Sequence, residues 1–178
     1  MSDVANFEKT AESVKYEGFI GTVRVDTYRH ADGEEVTREV VAHPGAVAML
    51  ALDDLHVWLV KQPREVVGEI TLEVPAGKLD HPGEALEETA RRQLAEDIGK
   101  AAEHWEELTW FYTSPGFTDE KVTVFLAQGL SDASAESEED ERIEIVPWPL
   151  SDLGAAIAQC RDAKSLIALQ ALAARRRG

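Results

Sequence analysis

"EVPAGKLDHPGEALEETARRQLAEDIG", Glu73–Gly99, is the stretch on which the fold turns. Its second half reads as a helix over residues 83–99. Leu86, Ala90, Leu94 and Ile98 recur every fourth residue, which lays an apolar stripe along one face, and Gly99 supplies a C-terminal stop. Gln93 and Asp97 lie one turn apart, Glu96 is the i+3 neighbour of Gln93, and these positions border the stripe. Glu84, Glu87, Glu88 and Arg91 occupy the other side, where solvated charges belong. Polar groups beside a buried stripe need partners, because left dry and unpaired they cost free energy. A hard cation such as magnesium, which prefers oxygen ligands and keeps several waters, would satisfy them. Taken alone, the helix is better read as amphipathic with a crowded acidic shoulder.

Outward from this stretch the chain is mostly strands. Residues 1–15 are polar and read as loosely held. "GTVRVDTYRHADGEEVTREVVAH", Gly21–His43, alternates β-branched residues on both sides of Asp32-Gly33, a hairpin signal. "GAVAMLALDDLHVWLVKQP", Gly45–Pro63, reads as a second and more buried hairpin, with strands near 45–52 and 56–62. A short strand in "EITLEVPAG" leads into the helix. "EELTWFYTSPG" and "KVTVFLAQGL" are two strands around a Pro-Gly turn, "SDASAESEEDE" is an acidic linker, and "RIEIVPWPL" is a last strand. Helices near 151–160 and 163–176 close the chain, the second with Leu166, Leu169 and Leu172 near one face. This order suggests α+β: a single domain over 1–178 around a mixed, partly antiparallel sheet.

Composition excludes some function classes. The 178 residues are 44% apolar and 29% charged, enough for one globular core. A formal net charge of -16 opposes non-specific nucleic-acid binding, and a phosphate-bearing substrate would require a metal ion or local arginines to offset repulsion. No apolar run approaches a membrane span and the first residues lack a basic-then-apolar signal, so the cytoplasm is the expected location. The lone Cys160 rules out an internal disulfide and reads as a helix packing residue; no Cys/His spacing suggests zinc.

What precedes the helix acids adds a resemblance. A glycine, a loop, a glutamate, seven residues, then Arg-Glu-apolar-x-Glu-Glu-x-Gly is the Nudix box of the nucleoside-diphosphate-linked hydrolases. Gly77 opens the matching stretch, Glu84 is the loop glutamate, and Arg92, Leu94, Glu96, Asp97 and Gly99 fill the core. Three departures touch its chemistry. The loop "KLDHPG" carries one residue more than usual; Gln93 replaces the first glutamate; Asp97 replaces the last with a shorter arm. Lys100 also stands where an apolar residue is usual. In the family, the positions matching Gln93, Glu96 and Asp97 supply most metal-binding carboxylates, and the carbonyl matching Ala76 is often another ligand. A neutral Gln93 offers an amide oxygen without negative charge, so cation affinity should fall.

The resemblance narrows to the ADP-ribose pyrophosphatase branch through "VKQPRE", "LEVPAGKLD", "TSPGFTDEKVTVFLAQGL" and "EEDERIEIVPW", spanning about residues 36 to 149. It implies the Nudix fold, an α/β/α sandwich with an N-terminal β-hairpin extension. It also implies cleavage of ADP-ribose to AMP and ribose 5-phosphate with magnesium, manganese being the alternative ion. The substrate would be a small nucleoside diphosphate, with neither nucleic acid nor membrane as partner. A homodimer is implied, residues 1–43 serving dimerisation and 44–178 forming the catalytic core. Matched motif by motif, Arg64 resembles the arginine facing the substrate phosphates. Ser114, Gly116 and Glu120 of "SPGFTDE" resemble the loop beside the terminal ribose, although Pro-Gly pairs make turns anyway. Glu139 matches a glutamate that assists or activates water, with Glu141 its nearby rival.

The expected mechanism follows. Glu96 and Asp97, with the Ala76 carbonyl and Gln93, would hold one or two ions against the diphosphate. Arg64 would steady the phosphates, Glu139 would position or deprotonate water, and Arg92 would orient the helix acids. Two rivals stand beside it: the same chemistry on another nucleoside diphosphate sugar, and a silent nucleotide-binding homologue in which Gln93 has weakened the metal site.

Overall fold

The computed structural model describes residues 6–134 and 142–177. These fall into two compact units, one built from residues up to Gly45 together with Tyr112–Lys121, the other from Ala46–Phe111 and the residues from Val122 onward.

The first unit holds a three-stranded antiparallel sheet, β1 (Phe7–Glu17), β2 (Thr22–His30) and β3 (Glu35–Ala42), in that order. The turn between β2 and β3 falls where Asp32-Gly33 predicts it. Gly33 has φ +89°, a left-handed conformation that a side chain disfavours. β1 corrects the sequence reading, which left residues 1–15 loosely held. Phe7 to Glu17 pair with β2 through two register irregularities, yet every residue of the strand is exposed. Both its faces meet water, so no period-2 alternation marked it.

The second unit is organised on a mixed sheet of order β10-β5-β4-β9-β8. Its strands are β4 (Ala46–Leu52), β5 (His56–Arg64), β6 (Glu69–Glu73), β7 (Ala76–Lys78), β8 (Lys100–Tyr112), β9 (Lys121–Asp132) and β10 (Glu144–Pro149). The expected hairpin of β4 and β5 pairs at only two positions, Ala51↔Trp58 and Leu52↔Val57. Beyond these the strands part. β4 takes β9 as a parallel neighbour and β7 as an antiparallel one, while β5 takes β6 and β10.

Alternation along β4 defines the two layers. Ala48, Leu50 and Leu52 pack with Leu153, Ala156, Leu169 and Leu172 from α2 (Leu153–Gln159) and α3 (Ala163–Arg175). Val47, Met49 and Ala51 pack with Ala90, Leu94 and Ile98 of α1 (Leu86–Ile98) on the opposite face. The second unit is therefore an α/β/α sandwich around a mixed sheet. The stripe predicted for α1 is its buried face, and Gly99 ends it at φ +63°. Cys160 lies in the α2/α3 core, where burial pushes its thiol up to about 11.

Candidate active site

The end of α1 and the strand pair before it bring four of the predicted residues together. Ala76 begins β7, and its N–H donates to Oδ2 of Asp97 at 3.1 Å, tying strand to helix. Asp97 is buried, in keeping with its place beside the apolar stripe. Gln93 lies over Gly77: a Cβ built there would come within 1.9 Å of Gln93 Oε1 and 2.4 Å of its Cγ. Glycine is needed for that approach, since the space of a side chain is filled by the amide. Gln93 Nε2 donates to Glu96 Oε2 at 2.6 Å, and Arg92 Nη1 donates to the same oxygen at 3.1 Å.

Arg92 is the hub of the acidic loop. Its Nε and Nη2 reach Oε1 and Oε2 of Glu84 at 3.2 and 3.0 Å, and Nη2 also reaches Asp80 at 3.1 Å. The hydrogen bonds from Arg92 and from the Thr89 hydroxyl hold the Glu84 carboxyl down at about 2. The same bond from Glu84 raises the Arg92 guanidinium further above its ordinary value. Glu84 thus corrects one sequence reading: it does not join the solvated side but is held by Arg92 and by the Thr89 hydroxyl, which donates to it at 2.8 Å. Lys100, at an ordinarily apolar position, lays its ammonium over the Trp58 ring at 4.5 Å and pairs with Asp132 at 2.6 Å.

The donor set of Ala76, Gln93, Glu96 and Asp97 is all oxygen apart from one amide nitrogen already spent on Glu96. That chemistry suits a hard divalent cation. The packing at Gly77 fits the same reading, because the Gln93 amide lies directly against that backbone, beside Ala76.

Arg64 ends β5 and meets a buried acid that sequence reasoning missed. Its Nε and Nη2 form a fork on Glu73 Oε1 and Oε2 at 2.8 and 2.7 Å. Thr71 Oγ1 donates to Oε1 at 2.5 Å, and Lys164 of α3 donates to Oε2. Glu73 is only 1% exposed. Burial alone would raise its carboxyl, but Arg64, Lys164 and Thr71 outweigh burial and bring it to about 2. The available signal was one acid at the end of the apolar run of β6; the signal for Lys164, 91 residues away, was absent.

The other predicted residues are placed separately. Ser114, Gly116 and Glu120 belong to the first unit. The Ser114 carbonyl accepts from the N–H groups of Phe117 and Thr118, the bonds of a turn, and Gly116 stands in open space. Glu120 accepts from the Thr113 hydroxyl at 2.7 Å. That unit also carries a groove of about 440 Å³ lined by Arg24, Tyr28, Arg38, Glu39 and Phe117 among others, aromatic faces mixed with charged edges. Beside it Asp26, fully buried, takes both carboxylate oxygens' bonds from Arg24 and one from Tyr28. None of these groove residues was singled out in the sequence. Glu139 and its rival Glu141 lie outside the described residues.

The NUDIX domain family matches residues 42–169. The chain belongs to the Nudix family. It is 40% identical over 171 residues to the ADP-ribose pyrophosphatase of Bacillus subtilis (strain 168), covering 93% of this chain and 92% of that protein. It is 36% identical, over the same length and shares, to a methanol dehydrogenase activator of Bacillus methanolicus. A crystal structure of an ADP compounds hydrolase superimposes with a TM-score of 0.87 over 100% of this chain and 98% of that one, at 22% identity, a likeness of fold. This Nudix protein is accordingly a pyrophosphohydrolase of the ADP-ribose pyrophosphatase-like branch, acting on a small nucleotide substrate, and Nudix hydrolases generally use divalent metal ions. Among the described residues no helix is long and apolar enough to cross a membrane.

Proposed function

We propose that this Nudix protein hydrolyses ADP-ribose to AMP and ribose 5-phosphate with magnesium, manganese substituting. The observation that carries the reading is that Gln93 lies against the backbone of Gly77 and bonds Glu96, while Asp97 bonds the neighbouring Ala76. Ala76, Gln93, Glu96 and Asp97 would hold the ion, and Arg92 would keep Glu96 oriented. A bound divalent ion supplies charge neutralisation on the diphosphate oxygens. Arg64, held on Glu73 with its side chain 44% exposed, would steady the substrate phosphates. Water attacks one phosphorus, its proton passes to the Glu139 carboxylate, and the bridging P–O bond breaks to leave two phosphate monoesters. Ser114, Gly116 and Glu120 would contact the terminal ribose.

The protein is proposed to work as a cytoplasmic homodimer through its N-terminal strands, residues 1–43. Tyr16 at 65%, Phe19 at 95% and Ile20 at 66% exposure support a covered face there. Light scattering giving a monomer at micromolar concentration would remove that part of the reading.

A second reading rests on Gln93. With one carboxylate replaced by an amide, the protein would bind ADP-ribose without cutting it. Incubating the purified protein and Gln93→Glu with ADP-ribose and a panel of nucleoside diphosphate sugars, at stepped magnesium and manganese, separates the two. Metal-dependent AMP release from ADP-ribose supports the first reading; no cleavage by either protein, with ADP-ribose still bound, supports the second.

A further inference from the structure

The loop that carries Ser114, Gly116 and Glu120 is fastened to the exit of β3. The Val41 N–H donates to the Phe117 carbonyl and the Thr118 hydroxyl to the Val41 carbonyl, each at 2.8 Å, around a parallel bridge of Val41 and Thr118. Two residues on, the His43 N–H donates to Asp119 Oδ1 at 2.8 Å. Within the loop the Glu120 N–H donates to the Thr118 hydroxyl at 3.2 Å, and the Glu120 carbonyl accepts from the Thr113 N–H at 3.1 Å. All of these residues belong to the first unit. The loop proposed to contact the terminal ribose therefore takes its position from the N-terminal sheet.

Asp119 has a second hold, rooted in a buried acid. Its Oδ2 accepts from Arg24 Nη2 at 3.3 Å. Arg24, Asp26 and Tyr28 share one face of β2, since side chains two apart on a strand point the same way. Arg24 Nε bonds both oxygens of Asp26, at 3.1 and 2.9 Å, and the Tyr28 hydroxyl donates to Oδ2 at 3.2 Å. Burial would raise the Asp26 carboxyl, but Arg24, Lys9 and Tyr28 keep it below the ordinary range, so it stays charged. Lys9 and Glu12 of β1 join the cluster: Lys9 Nζ stands 3.8 Å from Asp26, Glu12 stands 3.8 Å from Arg24, and the two bond each other at 2.5 Å. His30, Arg38 and Glu39 line the same groove as Arg24 and Asp119. An exposed ion pair ordinarily contributes little, because two long side chains must be ordered to form it. This one differs: the guanidinium is already fixed by Asp26 and the Asp119 carboxylate by the His43 N–H, so little ordering opposes the bond.

We propose that Asp26 and Arg24 are positioning residues that set specificity: they hold Asp119, and through it the Ser114–Glu120 loop, in the shape that accepts a terminal ribose. This rests on the reading of that loop as the ribose contact, and extends it to a strand that carries no catalytic group. Loosening the loop weakens its fit to the sugar it is shaped for. The groups assigned to the metal and the diphosphate are unchanged. Discrimination between terminal sugars therefore falls, while turnover changes little.

Two measurements on the full-length protein test this. Amide hydrogen exchange by NMR, without ligand, follows Val41, His43, Phe117 and Thr118. Steady-state kinetics gives kcat and KM for ADP-ribose, with ADP-glucose, which differs in the terminal sugar alone, as competitor. Asp119→Asn keeps an oxygen for the His43 N–H but offers Arg24 no charge. It should speed exchange at these amides about fivefold and raise KM for ADP-ribose about fivefold, with kcat and the ADP-glucose inhibition constant within about twofold. Arg24→Gln/Asp26→Asn removes the buried charges together, so neither is stranded, and should have the same effect. Adding Asp119→Asn to that pair should change nothing more, because all three act through one bond. Unmoved exchange in Asp119→Asn overturns the proposal, as does an additive triple variant. Glu120→Gln tests the ribose contact by itself. If it changes the preference for ADP-ribose over ADP-glucose and Asp119→Asn does not, the proposal is again overturned. If Glu120→Gln leaves both sugars unaffected while exchange still responds to Asp119→Asn, the ribose reading fails, and the effect on specificity with it, but the hold of Arg24 on the loop stands.

Discussion

Gln93 donates its amide N–H to Glu96 Oε2 at 2.6 Å, where two carboxylates would have repelled each other. The departure from the box therefore has a structural consequence beyond a missing charge. The amide joins Arg92 in satisfying Glu96 with no metal ion, whereas a glutamate at that position would repel Glu96 and lean on a bound ion to hold both acids together.

Gln93→Glu should thus tighten divalent binding and weaken the ion-free protein. A tenfold lower Kd for manganese is the expected scale, as ligand charge count is a main determinant of cation affinity, with tuning of metal sites running about 10- to 100-fold. Titration calorimetry reads the affinity. Thermal unfolding in chelator should give a lower Tm than the parent, and excess manganese should reverse that order. Equal affinity in the two proteins would show that position 93 lies outside the coordination sphere.

Gly77 and Gln93 make a second, reciprocal test. Gly77→Ala places a methyl 2.4 Å from Gln93 Cγ, too near the base of the side chain for a simple rotation of its tip. Overpacking of this kind costs about 1 to 3 kcal/mol. Shortening the partner in Gly77→Ala/Gln93→Ala should recover most of that stability in urea unfolding while leaving metal affinity low. If the double variant is no more stable than Gly77→Ala, the clash lies elsewhere.

The α1 stripe was legible because burial on one helical face imposes a period that residue types reveal, and the acids bordering it stood out for the same reason. β1 was illegible because a strand exposed on both faces carries no such period. The parting of β4 from β5 was equally hidden: both read as buried strands around Asp53-Asp54, and nothing in them shows that β7 takes the edge of β4, and β6 the edge of β5, that the two would otherwise share. Glu73 could have been noticed as a charge ending an apolar strand, but its partner Lys164 comes from a helix chosen by tertiary packing alone. Spacing identifies groups that share an element; it is silent on groups that meet across the fold.

Arg92 joins Asp80, Glu84 and Glu96, so its removal would leave three acids without their common counterion. Arg92→Met should reduce kcat by about 10- to 100-fold, the scale seen when partners of metal ligands are lost. The Glu84 carboxyl, held at about 2, should move back toward its ordinary value of 4.5. Carboxyl ¹³C titration of Glu84 in the variant checks this directly. A Glu84 midpoint unchanged by the substitution would mean that Thr89 alone depresses it.

Glu73 makes stability depend on acid. Its folded-state value near 2 lies below the 4.5 of an unpaired glutamate, so the unfolded chain binds the proton more readily. The contribution is fully present above about pH 4.5, and it declines as pH falls toward 2, where the folded carboxylate is itself protonated. A depression of that size corresponds to on the order of 3 kcal/mol. Glu73→Gln removes this contribution and strands Lys164 and Arg64 beside a neutral amide, so the loss at pH 7 should be about 3 kcal/mol. Between pH 4.5 and 2 the variant's urea midpoint should fall less steeply than the parent's, and the two curves should converge at the acid end. Parallel curves across that window would place the acid sensitivity in other depressed carboxylates, Asp26 and Asp53 among them.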